Sequence, residues 1–418
     1  MGVTEAGFRA QQMNALINVK TAEKGLQFGS SKCKSMLIGK NVEHVLNSNL
    51  TVDTWKVTHD EVTEKIVETY EGQISVDKTD EQKYLGFVLS NKGNNMANIN
   101  CLKKKSKGII RRIFGKLESL TLKQYYFECA MIFMNSMLRS SILYACETYY
   151  NLKETEIRQI ERIEEGFMRE LLKTGRGCPI VQLYQELGQI PARFEIYKIR
   201  LLYLKYILNQ EPESMLFKFF EAQLKTSSKG DWVYMCNEDL KTLNIIETYE
   251  EIKNMTHYSF KKILNEKIQS AAYEYLLTKQ GSKGSEVKHT ELKMSLYLSP
   301  ISRELSTNDK CKVFEMRNKM TRIPANFSSR ITKNVCFCGN NESMEHVYTC
   351  KMLNCDIPST EYEYIYSDNL KKIYEVYTRF DENMNKRENI IECMENQKHE
   401  EKTNDHHVIQ LSDPLYAV

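Results

Sequence analysis

Near residue 95 the spacing of apolar residues changes, and no other feature constrains the fold of this chain so strongly. From there on they recur every three or four positions, the period of an amphipathic helix. Asn95 to Leu117 carries Ile99, Leu102, Ile109, Ile110, Ile113, Phe114 and Leu117 at that spacing. Leu120 to Cys146, dense in Phe, Met, Leu and Cys, reads as one largely buried helix. Glu154 to Leu172 puts Ile157, Ile160, Ile163, Phe167, Met168, Leu171 and Leu172 on one stripe. Helices are also predicted over Val181–Leu187, Ala192–Leu208, Asn237–Ile246, Tyr249–Leu277 and Lys310–Met320. Only 7 prolines in 418 residues leave room for such lengths. The expected class is α+β, mainly α.

The first 92 residues are mixed. Asn14 to Gly25 fits a short helix, and Leu26–Phe28 with Ser35–Gly39 fit two short strands around a turn. Val57, Val62, Ile66 and Val67 suggest strand pieces between Asp53 and Tyr70. Lys83–Ser90 is a better strand, closed by Asn91-Lys92-Gly93. At the other end, Asp381 to Asp405 holds eight acidic against four basic residues, which predicts a solvated helix fraying into disorder. No uninterrupted apolar run approaches the ~20 residues of a membrane span, so no membrane association is expected. No secretory signal is evident, and most of the 12 cysteines are scattered. Reduced thiols in the nucleus or cytoplasm are therefore expected.

Four soft donors stand within fifteen residues: Cys336, Cys338, His346 and Cys350. Three thiols and an imidazole match a closed, four-coordinate zinc site. Gly339 after the second cysteine lets the chain fold back. One residue between Cys336 and Cys338 is tighter than the usual two or more, which leaves Cys355 as an alternative ligand. A closed site is structural, so no hydrolytic role follows from it. Compact zinc knuckles can present their surfaces to single-stranded nucleic acid.

A second cluster is electrostatic. Between Lys83 and Lys116 there are nine basic residues and no acid, in a chain whose total charge is only +3. Lys103, Lys107 and Arg111 recur at intervals of four, with Lys104 and Arg112 beside them. Charged runs are usually solvated faces, which interleave both signs. The lack of acids favours a phosphate backbone as partner. No Gly-x-Ser-x-Gly, His-Glu-x-x-His or Walker loop occurs, and no catalytic residue is assigned.

Four segments, in order, resemble non-LTR retrotransposon reverse transcriptases. Gly25-Leu26-Gln27-Phe28 with Ser31–Gly39 is similar to the segment following the family's catalytic aspartates. Lys83–Ser90 with Gly93 is similar to the strand and turn that end the palm and position the primer terminus. Leu138–Thr148 is similar to a helix of the thumb region, and the Cys-Cys-His-Cys cluster to the knuckle downstream. The resemblance implies a palm remnant over 1–92, a helical thumb and connecting region over 93–330, a knuckle over 331–356 and a charged, partly disordered tail over 357–418. It makes Lys83, Tyr84, Leu85 and Gly86 a primer-grip strand, and Lys103, Lys104, Lys107, Arg111 and Arg112 a track for RNA or an RNA–DNA duplex.

The family polymerises DNA with two Mg²⁺ ions held by palm aspartates. This chain has no Asp-Asp pair, and the fingers and most of the palm are expected to be missing from it. The expected function is therefore that of a C-terminal polymerase fragment that retains nucleic-acid binding and a structural Zn²⁺, with no catalysis of its own. A host-adopted nucleic-acid-binding or scaffold protein with a structural zinc site is the alternative.

Overall fold

A computed structural model describes residues 12–13, 16–17, 36, 50–60, 65–76 and 79–409, apart from 176, 227, 280–294, 319, 321–335, 337, 342, 354–358 and 368. The strands expected within residues 26–39, most of the 14–25 helix and Cys355 lie outside the described residues. The rest is mainly helical with two small antiparallel sheets, in line with the expected class. Strands β1 (Leu50–Asp60) and β2 (Lys65–Val76) pair from Leu50↔Val76 to Asp60↔Lys65, with one irregularity at Thr54/Trp55. The single strand expected over Lys83–Ser90 is instead a second, tighter hairpin of β3 (Glu81–Tyr84) and β4 (Phe87–Ser90), because Leu85 and Gly86 take positive φ and turn the chain.

Twelve α-helices of six residues or more follow among the described residues. They are α1 (Met96–Glu118), α2 (Tyr126–Phe133), α3 (Glu154–Leu171), α4 (Ile180–Glu186), α5 (Ala192–Leu208) and α6 (Met215–Thr226). Then come α7 (Trp232–Thr242), α8 (Tyr249–Asn254), α9 (His257–Thr278), α10 (Thr307–Arg317), α11 (Met344–Thr349) and α12 (Leu370–Ile409). The chain divides into two compact units. One comprises residues 1–109, 138–163 and 195–262; the other comprises 110–137, 164–194 and 263–418.

In the first unit, the start of α1 is fixed by buried polar groups. Glu156 accepts from the backbone N–H groups of Asn95 (3.0 Å) and Lys153 (2.9 Å), and Asn98 donates to the Tyr149 hydroxyl at 3.0 Å. Trp232 donates its indole N–H to Glu147 O at 2.6 Å. Arg200 and Asp239 form a buried ion pair at 2.9 Å. Burial pushes the Asp239 carboxyl up to about 7 while the guanidinium pulls it down. The single helix expected over Tyr249–Leu277 is two. Thr248 and Glu251 form a capping box at the start of α8, and Thr256 accepts from Ser259 N as the chain restarts into α9. The buried Lys205 ammonium donates to Ile252 O (2.7 Å) and Met255 O (2.6 Å), carbonyls that the break leaves free.

In the second unit, buried Arg317 is the main polar tie. It donates to Glu186 Oε1 at 3.2 Å, to Ile365 O and to Ser367 O at 2.9 Å, joining α4, α10 and the segment before α12. Phe114 and Phe167 pack with ring centroids 5.2 Å apart. The helix expected over Leu120–Cys146 runs from Lys123 to Ile142 with changes of pitch. A 3-10 turn precedes α2, a π turn (Met134–Arg139) follows it, and Ala145 adopts φ 59°. By length and composition Lys123–Thr148 is apolar enough to cross a membrane. Its Phe127, Ala130, Met134, Leu138 and Ile142 are nonetheless packed inside the protein. α12 begins earlier than the charged composition suggested: Leu370, Ile373, Val376, Tyr377 and Phe380 form a buried stripe ahead of the acidic segment.

Candidate metal centre and basic helix

The metal cluster is built from one turn and one short helix. Cys336 O accepts from Gly339 N at 2.8 Å, closing a four-residue turn, and Cys336 N donates to Asn340 O at 2.8 Å. Gly339 takes φ +90°, a region closed to most side chains, so the chain reverses immediately after Cys338. α11 then starts with Ser343, whose hydroxyl accepts from His346 N at 3.0 Å, and ends at Cys350. Its geometry sets His346 and Cys350 one turn apart.

The four donor atoms of Cys336, Cys338, His346 and Cys350 lie within 4.8 Å of one another. Cys338 Sγ is 3.1 Å from His346 Nε2, and Cys336 Sγ is 4.0 Å from Cys350 Sγ. A tetrahedral zinc site with Zn–S near 2.3 Å has donor–donor edges of about 3.7 Å. The separations bracket that value, and 4.0 Å is far too long for a disulfide, at about 2.05 Å. The single residue between Cys336 and Cys338 is therefore no obstacle, because the Gly339 turn brings both thiols to one side. The cluster can hold a metal such as zinc. Cys336 and Cys350 are buried, while Cys338 and His346 are half-buried.

The surroundings divide the thiols. Burial pushes Cys336 up to about 11. The backbone N–H of Asn340 beside Cys338 holds its thiol below the usual range, and the Asn340 amide donates to the same sulfur at 3.6 Å. Asn340 was not anticipated from the sequence, and neither were two groups on α12. Asn383 is buried and donates to Val347 O (3.2 Å) and Tyr348 O (3.1 Å), and Ile390 packs against the Cys336–Cys350–Leu353 cluster. No local pattern announces a contact across more than thirty residues.

The basic stretch forms one helix with two faces. Ile99, Leu102, Ile109, Ile113, Phe114 and Leu117 of α1 are buried. Lys104, Lys107, Arg111 and Arg112 of the expected set are exposed, joined by Lys105 and Lys116. Lys103 is half-buried and its ammonium is engaged by Gln159 Oε1, which removes it from the free face. No acid occupies the first turn of α1, and Lys116 lies in its last, where it complements the helix dipole.

Lys83, Tyr84, Leu85 and Gly86 sit at the tip of the β3–β4 hairpin, all exposed. Leu85 (φ 45°) and Gly86 (φ 92°) both take positive φ, the requirement of a two-residue type I′ turn. A left-handed leucine costs on the order of 1–2 kcal/mol. The turn is held from outside by the Tyr144 hydroxyl, which donates to Leu85 O at 2.7 Å. The Tyr144 ring stands where a Cβ on Gly86 would approach it to 3.3 Å. Phe87 and Tyr149 pack with centroids 5.6 Å apart, and Val88 N donates to Asn98 Oδ1 at 3.1 Å. The hairpin, the start of α1 and the segment around Tyr144 thus form one bonded set, although Tyr144 is 59 residues from Leu85.

No family model, no curated protein and no solved structure matches the chain.

Proposed function

We propose that this chain binds RNA or RNA–DNA duplex through the exposed cationic face of α1 and the β3–β4 hairpin, and that Cys336, Cys338, His346 and Cys350 hold a structural Zn²⁺. The observation that carries the reading is the excess of positive charge on α1, whose one acid, Glu118, stands at its C-terminal end. Six exposed Lys and Arg residues share that helix, within an acid-free segment that also contains the hairpin tip. A face selected only for solubility mixes both signs, whereas a phosphate backbone rewards a single one. The arrangement accords with the C-terminal part of a non-LTR reverse transcriptase, the family that the sequence resembles. Two of the resembling segments, around Tyr84 and around Tyr144, are bonded to each other.

The chain supplies no adjacent aspartates for a two-metal polymerase site, so the proposed role is binding, without DNA synthesis by these residues alone. The zinc would supply cross-linking: four donors held in a closed shell tie the turn at Gly339 to α11, whose Met344, Val347 and Tyr348 are already buried. The test is equilibrium binding of a short RNA–DNA hybrid across a salt series, with primer extension in Mg²⁺ run alongside. Salt-dependent binding without extension is the expected result. Extension by the isolated chain, or the absence of binding at low salt, overturns the proposal.

A further inference from the structure

We infer that metal occupancy at the Cys336–Cys350 cluster locks the part of α12 beyond Phe380 onto the metal-bearing module. The inference rests on the metal reading above and adds a consequence for a different part of the chain.

The linking residue is Asn383. Buried amides inside a helix are uncommon and need partners. Asn383 has two, donating to Val347 O at 3.2 Å and Tyr348 O at 3.1 Å. Both carbonyls belong to the last turn of α11, where no intrahelical donor reaches them. Asn383 therefore caps α11 from a separate helix. Seven residues on, Ile390 lies on the same face of α12 and packs against Cys336, Cys350 and Leu353.

α11 has only six residues, far too few to hold a helix in water by itself. It is held by its buried Met344, Val347 and Tyr348, by Ser343 at the start and by the carbonyls capped by Asn383 at the end. A metal bound by His346 and Cys350 adds a further constraint across the same turn. Fixing α11 presents its carbonyls to Asn383, and capping by Asn383 sets the donors for the metal. Such coupling is reciprocal by thermodynamic necessity. The earlier part of α12 carries a longer buried stripe of its own, Leu370, Ile373, Val376, Tyr377 and Phe380, and so depends less on the metal. Asp381 adds only an exposed pair with Lys312 at 3.3 Å, which contributes little. The metal-sensitive part of the helix thus begins near residue 381.

The test is amide hydrogen exchange of the full chain, metal-free under reducing conditions and with one equivalent of Zn²⁺. Zinc is expected to slow exchange about tenfold or more over 344–350 and over 381–393, and to leave 370–380 unchanged. In Asn383→Ala, one zinc still binds, about tenfold more weakly, and the effect on 381–393 is lost. Protection of 344–350 without any change over 381–393 overturns the inference and leaves the metal reading intact. So does an unaltered zinc affinity in Asn383→Ala. Absence of stoichiometric zinc binding to the wild-type chain removes the metal reading and the inference together.

Discussion

The hairpin with the start of α1 and the Cys336–Leu353 module are both small, and they are held together by opposite means. The first is closed by complementary hydrogen bonds: Glu156 to Asn95 and Lys153, Asn98 to Tyr149 and Val88, and Tyr144 to Leu85. The second buries Met344, Val347, Tyr348 and Leu353 along one short helix and its flank, and four donor groups converge beside them. A region of the first kind is complete as a polypeptide. A region of the second kind can take a cross-link from a cation. The proposed metal and nucleic-acid sites therefore lie on different segments, and each can be perturbed alone.

The largest expected effect falls on the module. Cys350→Ser removes one of four ligands and should weaken zinc binding by more than about a hundredfold, measured by competition with a chromophoric chelator. The same change should leave nucleic-acid affinity within about twofold if α1 carries binding; a parallel loss would show that the module contributes contacts of its own. Next is Glu156→Ala. It leaves the N–H groups of Asn95 and Lys153 without their acceptor, at a cost of about 2–3 kcal/mol in chemical denaturation. That loss should be the same with and without zinc; a zinc-dependent loss would contradict the separation.

Smaller and opposite in sign is Leu85→Gly. Relief of the left-handed leucine should stabilise the fold by about 1 kcal/mol, while removing an exposed apolar side chain from the hairpin tip should weaken hybrid binding. Stabilisation with unchanged binding would remove the hairpin from the proposed surface. Gly86→Ala should do the reverse to stability, because φ 92° and the Tyr144 ring both oppose a side chain.

Much of this contrast was legible in the residues themselves. The α1 stripe from Ile99 to Leu117, the single-sign charge beside it and the four donors all follow from periodicity and spacing, which are local. What escaped was decided by distant partners or by caps. Thr256 divides one expected helix into two because its hydroxyl accepts from Ser259 N and Lys205 takes up the free carbonyls. The π turn inside the Leu120–Cys146 helix, and the left-handed Ala145 just past its end at Ile142, are features of which composition gives no warning. Lys103 looked equivalent to Lys107 and Arg111, yet Gln159 engages it. Asn383 stood in an acidic segment that read as solvated, and only the fold brings it to α11.

The smallest change in stability carries the most direct test. Lys104→Glu with Arg112→Glu alters two exposed side chains and should shift folding free energy by no more than about 0.5 kcal/mol. Binding of an RNA–DNA hybrid to the wild-type chain and to this variant should be measured between about 50 and 200 mM salt, the range over which phosphate contacts are strongly screened. The expected result is a linear fall of log affinity with log salt for the wild type, and a slope shallower by about two units, with weaker binding throughout, for the variant. Equal slopes and equal affinities would contradict α1 as the nucleic-acid surface.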